Sequence, residues 1–383
     1  MTQKEEISQP NILQVLNALR VRILAGGGEV IDLSAGTPDL PPAPHVMRAV
    51  SEAAADPENY KYVLRDLPDL TDAAVSWYAR RYGVRLDAEQ VIAVYGTQEG
   101  LPHLFHVLCK PGDLVLVGTP NYPLFSFAPT LAGAEAVLVP LRPENGFLID
   151  FSEIDPAVAR KARVILASYP SNPLGAVAPP SFYEDLVRFA KEYDLVVVHD
   201  NAYSELVHDG PPGGSFLATP GAMDVGVEFN SLSKTYNLSG LRISFALGNR
   251  EVLAAYRRFR TQIDYGLSAI DQIAAVAALT GPQDIVESNR AAYRSRRDAF
   301  VDALRGLGWD VPKTPATMFT WFPIPARYGK DDKRFCMELA EKTGVLSVPG
   351  SSAGPGGEGW VRFALVQPGD VLLRAAEKIA TLL

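Results

Sequence analysis

The spacing of apolar and polar positions along the chain predicts most of its elements. Short runs rich in valine, isoleucine and leucine predict strands at residues 91–94, 114–117, 164–167, 195–198 and 243–248. Loops bearing glycine or proline and amphipathic helices separate successive runs. This alternation is typical of a mostly parallel sheet covered by helices on both faces. We therefore expect an α/β fold with a large three-layer sheet domain.

Outside residues 91–248, the pattern predicts helices at 11–24, 45–55, 68–82, 284–305, 333–342 and 370–382, and strands at 30–33, 318–322, 345–348 and 360–366. The strands and helices after residue 282, joined by the N-terminal helix, predict a second, smaller unit. Pro282 marks a boundary between helical segments. We expect a large α/β domain over residues 46–282 and a smaller α+β domain built from residues 1–45 with 283–383.

Composition limits the classes of partner. The chain has 383 residues, 47% hydrophobic and 21% charged, as in globular proteins of more than one domain. Its net charge of -8 argues against nucleic acid or an anionic membrane as partner. The two cysteines and five histidines are not spaced along the chain as metal ligands usually are, so we expect no metal site. A polar segment at residues 1–9 and the lack of a bilayer-length apolar run predict a cytoplasmic location.

The stretch Ser231-Leu-Ser233-Lys234, with Arg242 shortly after it, carries the central chemistry. A lysine amine can form a Schiff base with an aldehyde, while hydroxyls and a guanidinium can bind a phosphate. Pyridoxal 5'-phosphate carries both groups. A motif this short also arises by chance, with its lysine in a surface loop, so the assignment depends on the rest of the chain.

Loops after the predicted strands offer further groups, and the carboxyl ends of parallel strands are where ligands bind. The loops are Gly96-Thr97-Gln98, Pro120-Asn-Tyr122-Pro, Asn172-Pro-Leu-Gly175 and Asp200-Asn-Ala-Tyr203. Amides after the glycine can bind an anion, an aromatic ring can stack on a heterocycle, and an aspartate can keep a pyridine nitrogen protonated. Taken singly, each residue also has an ordinary structural explanation. Asn172 fits a turn, Tyr122 fits a buried core tyrosine, and Asp200 fits a helix cap.

One arginine in the last predicted strand is a candidate substrate anchor. Val361, Phe363 and Leu365 alternate toward one face of that strand, which leaves Arg362 on the other. Arg362 either faces solvent or captures a carboxylate through two hydrogen bonds in a cleft between the domains.

In their order along the chain, these motifs resemble those of the class I/II aminotransferases of PLP fold type I, and within them the LL-diaminopimelate/aspartate aminotransferase-like group. The stretch from Ser231 to Arg242 and the pair Pro349-Gly350 followed by Gly359-Trp-Val-Arg362 carry the closer likeness. The resemblance implies a ping-pong transfer of an amino group between an L-amino acid, dicarboxylic or diaminopimelate-like donors included, and a 2-oxo acid. It also implies pyridoxal 5'-phosphate as cofactor and a homodimer whose clefts the partner completes.

The resemblance assigns roles to residues that match the family's motifs. Catalytic roles fall to Lys234, Asp200 and Tyr203. Cofactor-binding roles fall to Thr97, Gln98, Tyr122, Asn172, Asp200, Tyr203, Ser231, Ser233, Lys234 and Arg242, with Tyr62 reaching across from the partner. Substrate binding falls to Gly36, Asn172 and Arg362.

The loop from Tyr62 to Pro68 departs from the family pattern, because it is one residue shorter and lacks a glycine. We hypothesise that Arg65 in this loop binds a distal substrate carboxylate.

Three alternatives compete with transamination. A C–S β-lyase acting on cystathionine-like substrates would use the same cofactor; a regulator would need an added DNA-binding domain; and a nucleotide-binding protein would need a Gly-x-Gly-x-x-Gly loop.

Overall fold

The computed structural model describes residues 12–383. The polar segment 1–9 and Asn11, the first residue of the first predicted helix, lie outside the described residues. The strands are β1 Ile31–Asp32, β2 Val91–Val94, β3 Leu114–Thr119, β4 Glu135–Pro140, β5 Ala162–Ser168, β6 Val196–Asp200, β7 Gly226–Ser231, β8 Ser244–Gly248, β9 Phe319–Pro323, β10 Val345–Leu346, β11 Val348–Pro349 and β12 Trp360–Ala364.

The helices follow the predicted ones closely. They are α1 Ile12–Ala25, α2 Pro44–Ala55, α3 Pro68–Tyr82, α4 Thr97–Leu108, α5 Pro123–Leu131, α6 Pro156–Ala159, α7 Pro180–Tyr193, α8 Ala222–Val225, α9 Leu232–Thr235, α10 Arg250–Arg260, α11 Ala269–Thr280, α12 Asp284–Gly306, α13 Asp332–Thr343 and α14 Gly369–Ala380. Over residues 12–383, none of these helices combines the length and apolarity needed to cross a bilayer.

The large sheet has seven strands in the order β2-β8-β7-β6-β5-β3-β4. All neighbouring pairs are parallel except those of β8, which runs antiparallel to both β2 and β7. Strands β2 and β8 are buried along their whole length, and β3, β5 and β6 nearly so, which is the reason that they read as continuous apolar runs. The expected mostly parallel α/β sheet is confirmed.

Strand β7 escaped prediction because polar residues interrupt its apolar positions. Glu228 is fully buried on β7 and accepts hydrogen bonds from Tyr78 Oη at 2.9 Å, Ser215 Oγ at 2.7 Å and the Phe216 amide at 2.8 Å. The oxygen that accepts from the Phe216 amide, Oε2, also lies 3.0 Å from Nδ1 of His199 on the neighbouring strand β6. These partners come from distant parts of the chain, so local hydrophobicity could not mark Glu228 as a core position.

The strand predicted at 345–348 is two strands in different sheets, which corrects the prediction. Val345 on β10 pairs in parallel with Ile31 on β1, while Val348 on β11 pairs antiparallel with Arg362 on β12. The buried Ser347 separates them and donates to Cys336 Sγ at 3.2 Å. The alternation of apolar and polar residues does not show which strand each residue pairs with. It therefore could not reveal that the predicted strand is divided between two sheets.

Buried apolar residues form a cluster on each face of the large sheet and another that joins β9 and β12 to α12, α13 and α14. The last of these clusters also takes in Ile31 and Leu33 near the N-terminus and Tyr203 after β6. The domain boundaries at residues 45/46 and 282/283 stay a prediction.

Candidate active site

A cavity of about 310 Å³ lies where the loops after several strands of the large sheet face the three-stranded sheet β11-β12-β9. Twelve of the residues singled out from the sequence line it: Gly36, Thr97, Gln98, Tyr122, Asn172, Asp200, Tyr203, Ser231, Ser233, Lys234, Arg242 and Arg362. Residues more than 300 positions apart in the chain therefore meet in one space.

Two predicted site residues lie elsewhere. Tyr62 is 80% exposed and packs against the ring of Tyr265 with centroids 5.0 Å apart. Arg65 is exposed in the same loop, and neither residue lines the cavity of its own chain. Their predicted roles stay predictions.

Lys234 sits on the short helix α9, directly after β7. Ser231 caps this helix by accepting a hydrogen bond from the Ser233 amide at 3.2 Å. The Lys234 Nζ donates to the carbonyl oxygen of Gly36 at 2.8 Å. Burial, assisted by the charges of Arg242 and Arg362, lowers the pKa of Lys234 to about 8. Near neutral pH, far more of this amine is therefore neutral, and nucleophilic, than of an ordinary lysine.

Asp200 is the last residue of β6 and is buried. Its Oδ2 accepts a hydrogen bond from Ser168 Oγ at 3.3 Å, whereas its Oδ1 is buried with no hydrogen-bond partner among residues 12–383. Burial is the main cause that raises the pKa of Asp200 to about 6. A carboxylate oxygen in this state is prepared to receive a cationic donor.

Hydroxyls, helix amides and a guanidinium converge at another part of the cavity. The hydroxyl of Thr97, at the first position of α4, is buried and has no partner in the described part of the chain. Ser244 Oγ donates to Ser231 Oγ at 2.8 Å. The Arg242 guanidinium packs directly against Gly96, whose φ of +82° and missing Cβ allow the approach. This arrangement suits a phosphate.

Arg362 is fixed at the opposite, small-sheet side of the cavity. One terminal nitrogen donates to Asn172 Oδ1 at 3.1 Å and the other to the carbonyl of Ser34 at 2.7 Å. Its guanidinium carbon lies 4.4 Å from the centroid of the Phe319 ring. Burial lowers the pKa of Arg362 from its usual value. A buried, pre-oriented guanidinium of this kind can bind a carboxylate.

Two tyrosines complete the aromatic part of the site. The Tyr122 hydroxyl donates to Gln98 Oε1 at 2.7 Å, and Tyr203 packs against Phe319 with centroids 6.0 Å apart. Burial raises the pKa of both phenols, so both stay protonated donors at neutral pH.

Sequence reasoning missed several lining residues of the small sheet, among them Trp321 on β9 and Val348 on β11. Each belongs to an apolar stretch that reads as ordinary core. Only the pairing of β9 and β11 with β12 brings them beside Arg362, so no local signal could have found them.

Comparison with known proteins identifies the family. A model of aminotransferase class I and II matches residues 28–379. The chain belongs to the aminotransferase class I and II family. It is 41% identical over 358 residues to the LL-diaminopimelate aminotransferase of Dehalococcoides mccartyi, covering 93% of this chain and 92% of that one.

Two further relatives in this family agree. An L-glutamine--4-(methylsulfanyl)-2-oxobutanoate aminotransferase from Bacillus subtilis is 41% identical over 363 residues, covering 94% of this chain and 91% of the relative. A substrate-bound structure of BacF from Bacillus subtilis matches with a TM-score of 0.95 at 35% identity, covering 100% of this chain and 98% of that one. The chain is an aminotransferase, and members of its family use pyridoxal 5'-phosphate.

The residues of the cavity fit that cofactor. Its phosphate would find Thr97, Ser231 and Arg242, its ring nitrogen the unpaired oxygen of Asp200, and its aldehyde the amine of Lys234. One cavity contains both a buried carboxylate oxygen without a hydrogen-bond partner and a group of side chains suited to an anion. This combination is what makes the fit specific.

Proposed function

We propose that this aminotransferase binds pyridoxal 5'-phosphate in the cavity through Lys234 and transfers an amino group between an L-amino acid and a 2-oxo acid by a ping-pong mechanism. The observation that carries the proposal is the partly buried amine of Lys234, with its pKa lowered to about 8, in the same cavity as the unpaired oxygen of Asp200. The names of the relatives support transamination and give no support to a C–S lyase.

The bound cofactor supplies a cationic ring that withdraws electrons from the substrate α carbon. Asp200 would stabilise that charge by accepting a hydrogen bond from the ring nitrogen. Tyr122 would stack on the ring, and Asn172 and Tyr203 would donate to its phenolic oxygen. Thr97, Gln98, Ser231, Ser233 and Arg242 would hold the phosphate, and Ser231 and Ser233 also shape the turn that presents Lys234.

Lys234 moves the proton. Its Nζ, when neutral, would take the proton from the substrate α carbon as a base and, once protonated, would be the acid that returns it during the transfer. In the cofactor-free chain, the 2.8 Å hydrogen bond to the Gly36 carbonyl orients the amine before it captures the cofactor. Arg362 binds the α-carboxylate together with the Gly36 backbone, which places the α carbon within reach of Lys234.

The names of the relatives suggest the range of donors: diaminopimelate in one case and glutamine with a thioether 2-oxo acid in another. All three compounds carry a carboxylate next to an amino- or oxo-bearing carbon, which matches a single arginine anchor.

We also propose that two copies of the chain form a homodimer with shared sites. Exposed apolar side chains cluster around the loop that contains Tyr62: Tyr60, Tyr62, Leu64, Ile263 and Tyr265. An exposed group of this size favours association. Tyr62 and Arg65, which do not reach their own cavity, would lie at the cavity of the second copy.

Absorption spectroscopy tests the proposed function. The purified protein, supplied with pyridoxal 5'-phosphate, should show a visible band that a donor amino acid bleaches and a 2-oxo acid restores. Lys234→Ala should lose the covalently held band and reduce turnover by several orders of magnitude, with the circular dichroism of the fold unchanged. Lys161→Ala, at an exposed position after α6, is the matched control and should behave as wild type. Undiminished transamination in Lys234→Ala would refute the lysine assignment, and pyruvate released without a 2-oxo acid would indicate a lyase.

A further inference from the structure

The anchor for the substrate carboxylate has apolar neighbours on both sides. In the antiparallel sheet β11-β12-β9, Arg362 is paired directly with Val348 on one strand and with Trp321 on the other. Directly opposed residues project from the same face of a sheet, and all three line the cavity. The side chain of any substrate held at Arg362 therefore meets this row.

The apolar wall extends beyond the row and is rigid. Its other members are Ile12, Phe319, Pro349 and Ala353. The Trp321 ring stacks on Trp360 with centroids 5.7 Å apart and an interplanar angle of 6°. A stacked indole of this kind keeps its position when substrate binds, so the wall is pre-formed.

The charged side chains of the cavity are already engaged. Within residues 12–383, those that line it are Asp200, Lys234, Arg242 and Arg362. The first three serve the cofactor and the fourth serves the α-carboxylate in the proposed function. A second carboxylate or a distal ammonium on the substrate would be buried against Trp321 and Val348 with no further charged partner from the same chain, which is costly.

We propose that this site selects amino acids with uncharged side chains of several heavy atoms, such as thioether, aliphatic or amide side chains, and that Trp321 and Val348 determine that selectivity. The inference rests on the proposed function, since it takes Arg362 as the α-carboxylate anchor. It sets aside the hypothesis that Arg65 binds a distal carboxylate.

Pairs of donors that share a shape but differ in charge provide the test. The cofactor-loaded enzyme is mixed with glutamine or glutamate, and with norleucine or lysine, and the rate at which the visible band bleaches is followed without any 2-oxo acid. We expect the uncharged member of each pair to react with a second-order rate constant at least about tenfold higher. Equal rates, or faster reaction of glutamate, would overturn the inference and point to a charge such as Arg65 from a second copy. A band that no amino acid bleaches would overturn the proposed function itself.

Binding without reaction gives a second readout. The acids 4-methylpentanoate and glutarate resemble leucine and glutamate without the amino group, so they occupy the site and do not turn over. Calorimetric titration of the cofactor-loaded enzyme should give a Kd for 4-methylpentanoate about tenfold or more below that for glutarate. The reverse order would contradict an apolar wall.

A substitution in the apolar wall distinguishes an effect on substrate selectivity from an effect on folding. Val348→Ala should lower kcat/KM for methionine about tenfold, as expected for two lost methyl contacts, and leave that for alanine nearly unchanged. Val345→Ala is the matched control, because Val345 is also buried, in the preceding strand β10, but does not line the cavity. An equal loss for methionine and alanine in Val348→Ala would show that Val348 acts only through the fold.

Discussion

At the scale of the residue, burial gives ordinary side chains the properties that the chemistry needs. Burial lowers the pKa of Lys234 to about 8 and raises that of Asp200 to about 6. The two shifts have opposite effects on stability. Asp200 contributes stability that is complete below its unfolded pKa near 3.8 and is lost as the pH rises through about 6. Lys234 contributes stability that is present above its unfolded pKa near 10.5 and is lost as the pH falls through about 8.

The Lys234 shift predicts the pH dependence of cofactor capture. Since only the neutral amine attacks an aldehyde, the rate at which cofactor-free protein captures pyridoxal 5'-phosphate should rise with pH and level off above about 8. Trapping the adduct with borohydride at timed intervals measures this rate. Arg362→Gln removes one of the charges that lower this pKa, so it should move the midpoint upward. A wild-type midpoint near 10.5 would mean that the amine is not perturbed.

At the scale of the element, a single residue in the loop after a strand can determine whether that loop binds a ligand. The turn from β2 into α4 needs Gly96 both for its φ of +82° and for the contact with the Arg242 guanidinium. Any Cβ at this position would displace that guanidinium. The glycine in this loop is therefore a requirement of the phosphate site as well as of the turn.

Gly96→Ala should accordingly weaken pyridoxal 5'-phosphate binding by about tenfold or more, as expected when one charge-assisted contact is lost. Fluorescence or absorbance titration of the cofactor-free protein gives the Kd. Gly112→Ala is a matched control, because Gly112 has a similar φ of +90° and open space around its missing Cβ. Both variants carry backbone strain, so an equal weakening in the two would attribute the effect to strain and not to Arg242.

At the scale of the whole molecule, we propose that the complete site takes residues from two chains. The cavity is enclosed by the large sheet and the small sheet of one copy, yet Tyr62 is 80% exposed and outside it. Symmetric dimers bring such a surface patch to the equivalent surface of a second copy.

Mixed dimers test this arrangement. Lys234→Ala and Tyr62→Ala should each impair activity, the second through weaker cofactor binding. In a mixed dimer, the cavity that holds the intact Lys234 would receive Tyr62 from the other copy. Co-expression of the two variants should therefore restore about a quarter of the wild-type active sites, since half of the dimers are mixed and each has one complete cavity. No restoration, or a monomeric mass in solution, would contradict the shared site.

Much of the fold and most of the candidate site could be predicted from local signals. Helix α3 begins and ends at the predicted residues because a proline starts it and Gly83 in the left-handed conformation stops it. Asp200 and Asn172 were found because they follow recognisable strands, and Lys234 was found through the motif Ser231-Leu-Ser233-Lys234 and the arginine after it. The pairing of 345–348 with two different sheets was not predictable, because partners hundreds of residues away determine it.

The sequence by itself indicated the candidate residues for the chemistry and determined which segments form most of the helices and buried strands, since periodicity, turn residues and motif order are properties of neighbours along the chain. Only the tertiary structure decided the environment of those residues. It buried Glu228 within a strand, lowered the pKa of Lys234 and placed Trp321 and Val348 beside Arg362. Burial, electrostatic fields and cross-strand register depend on groups that are distant in sequence, and these are the properties that convert a set of motifs into a selective site.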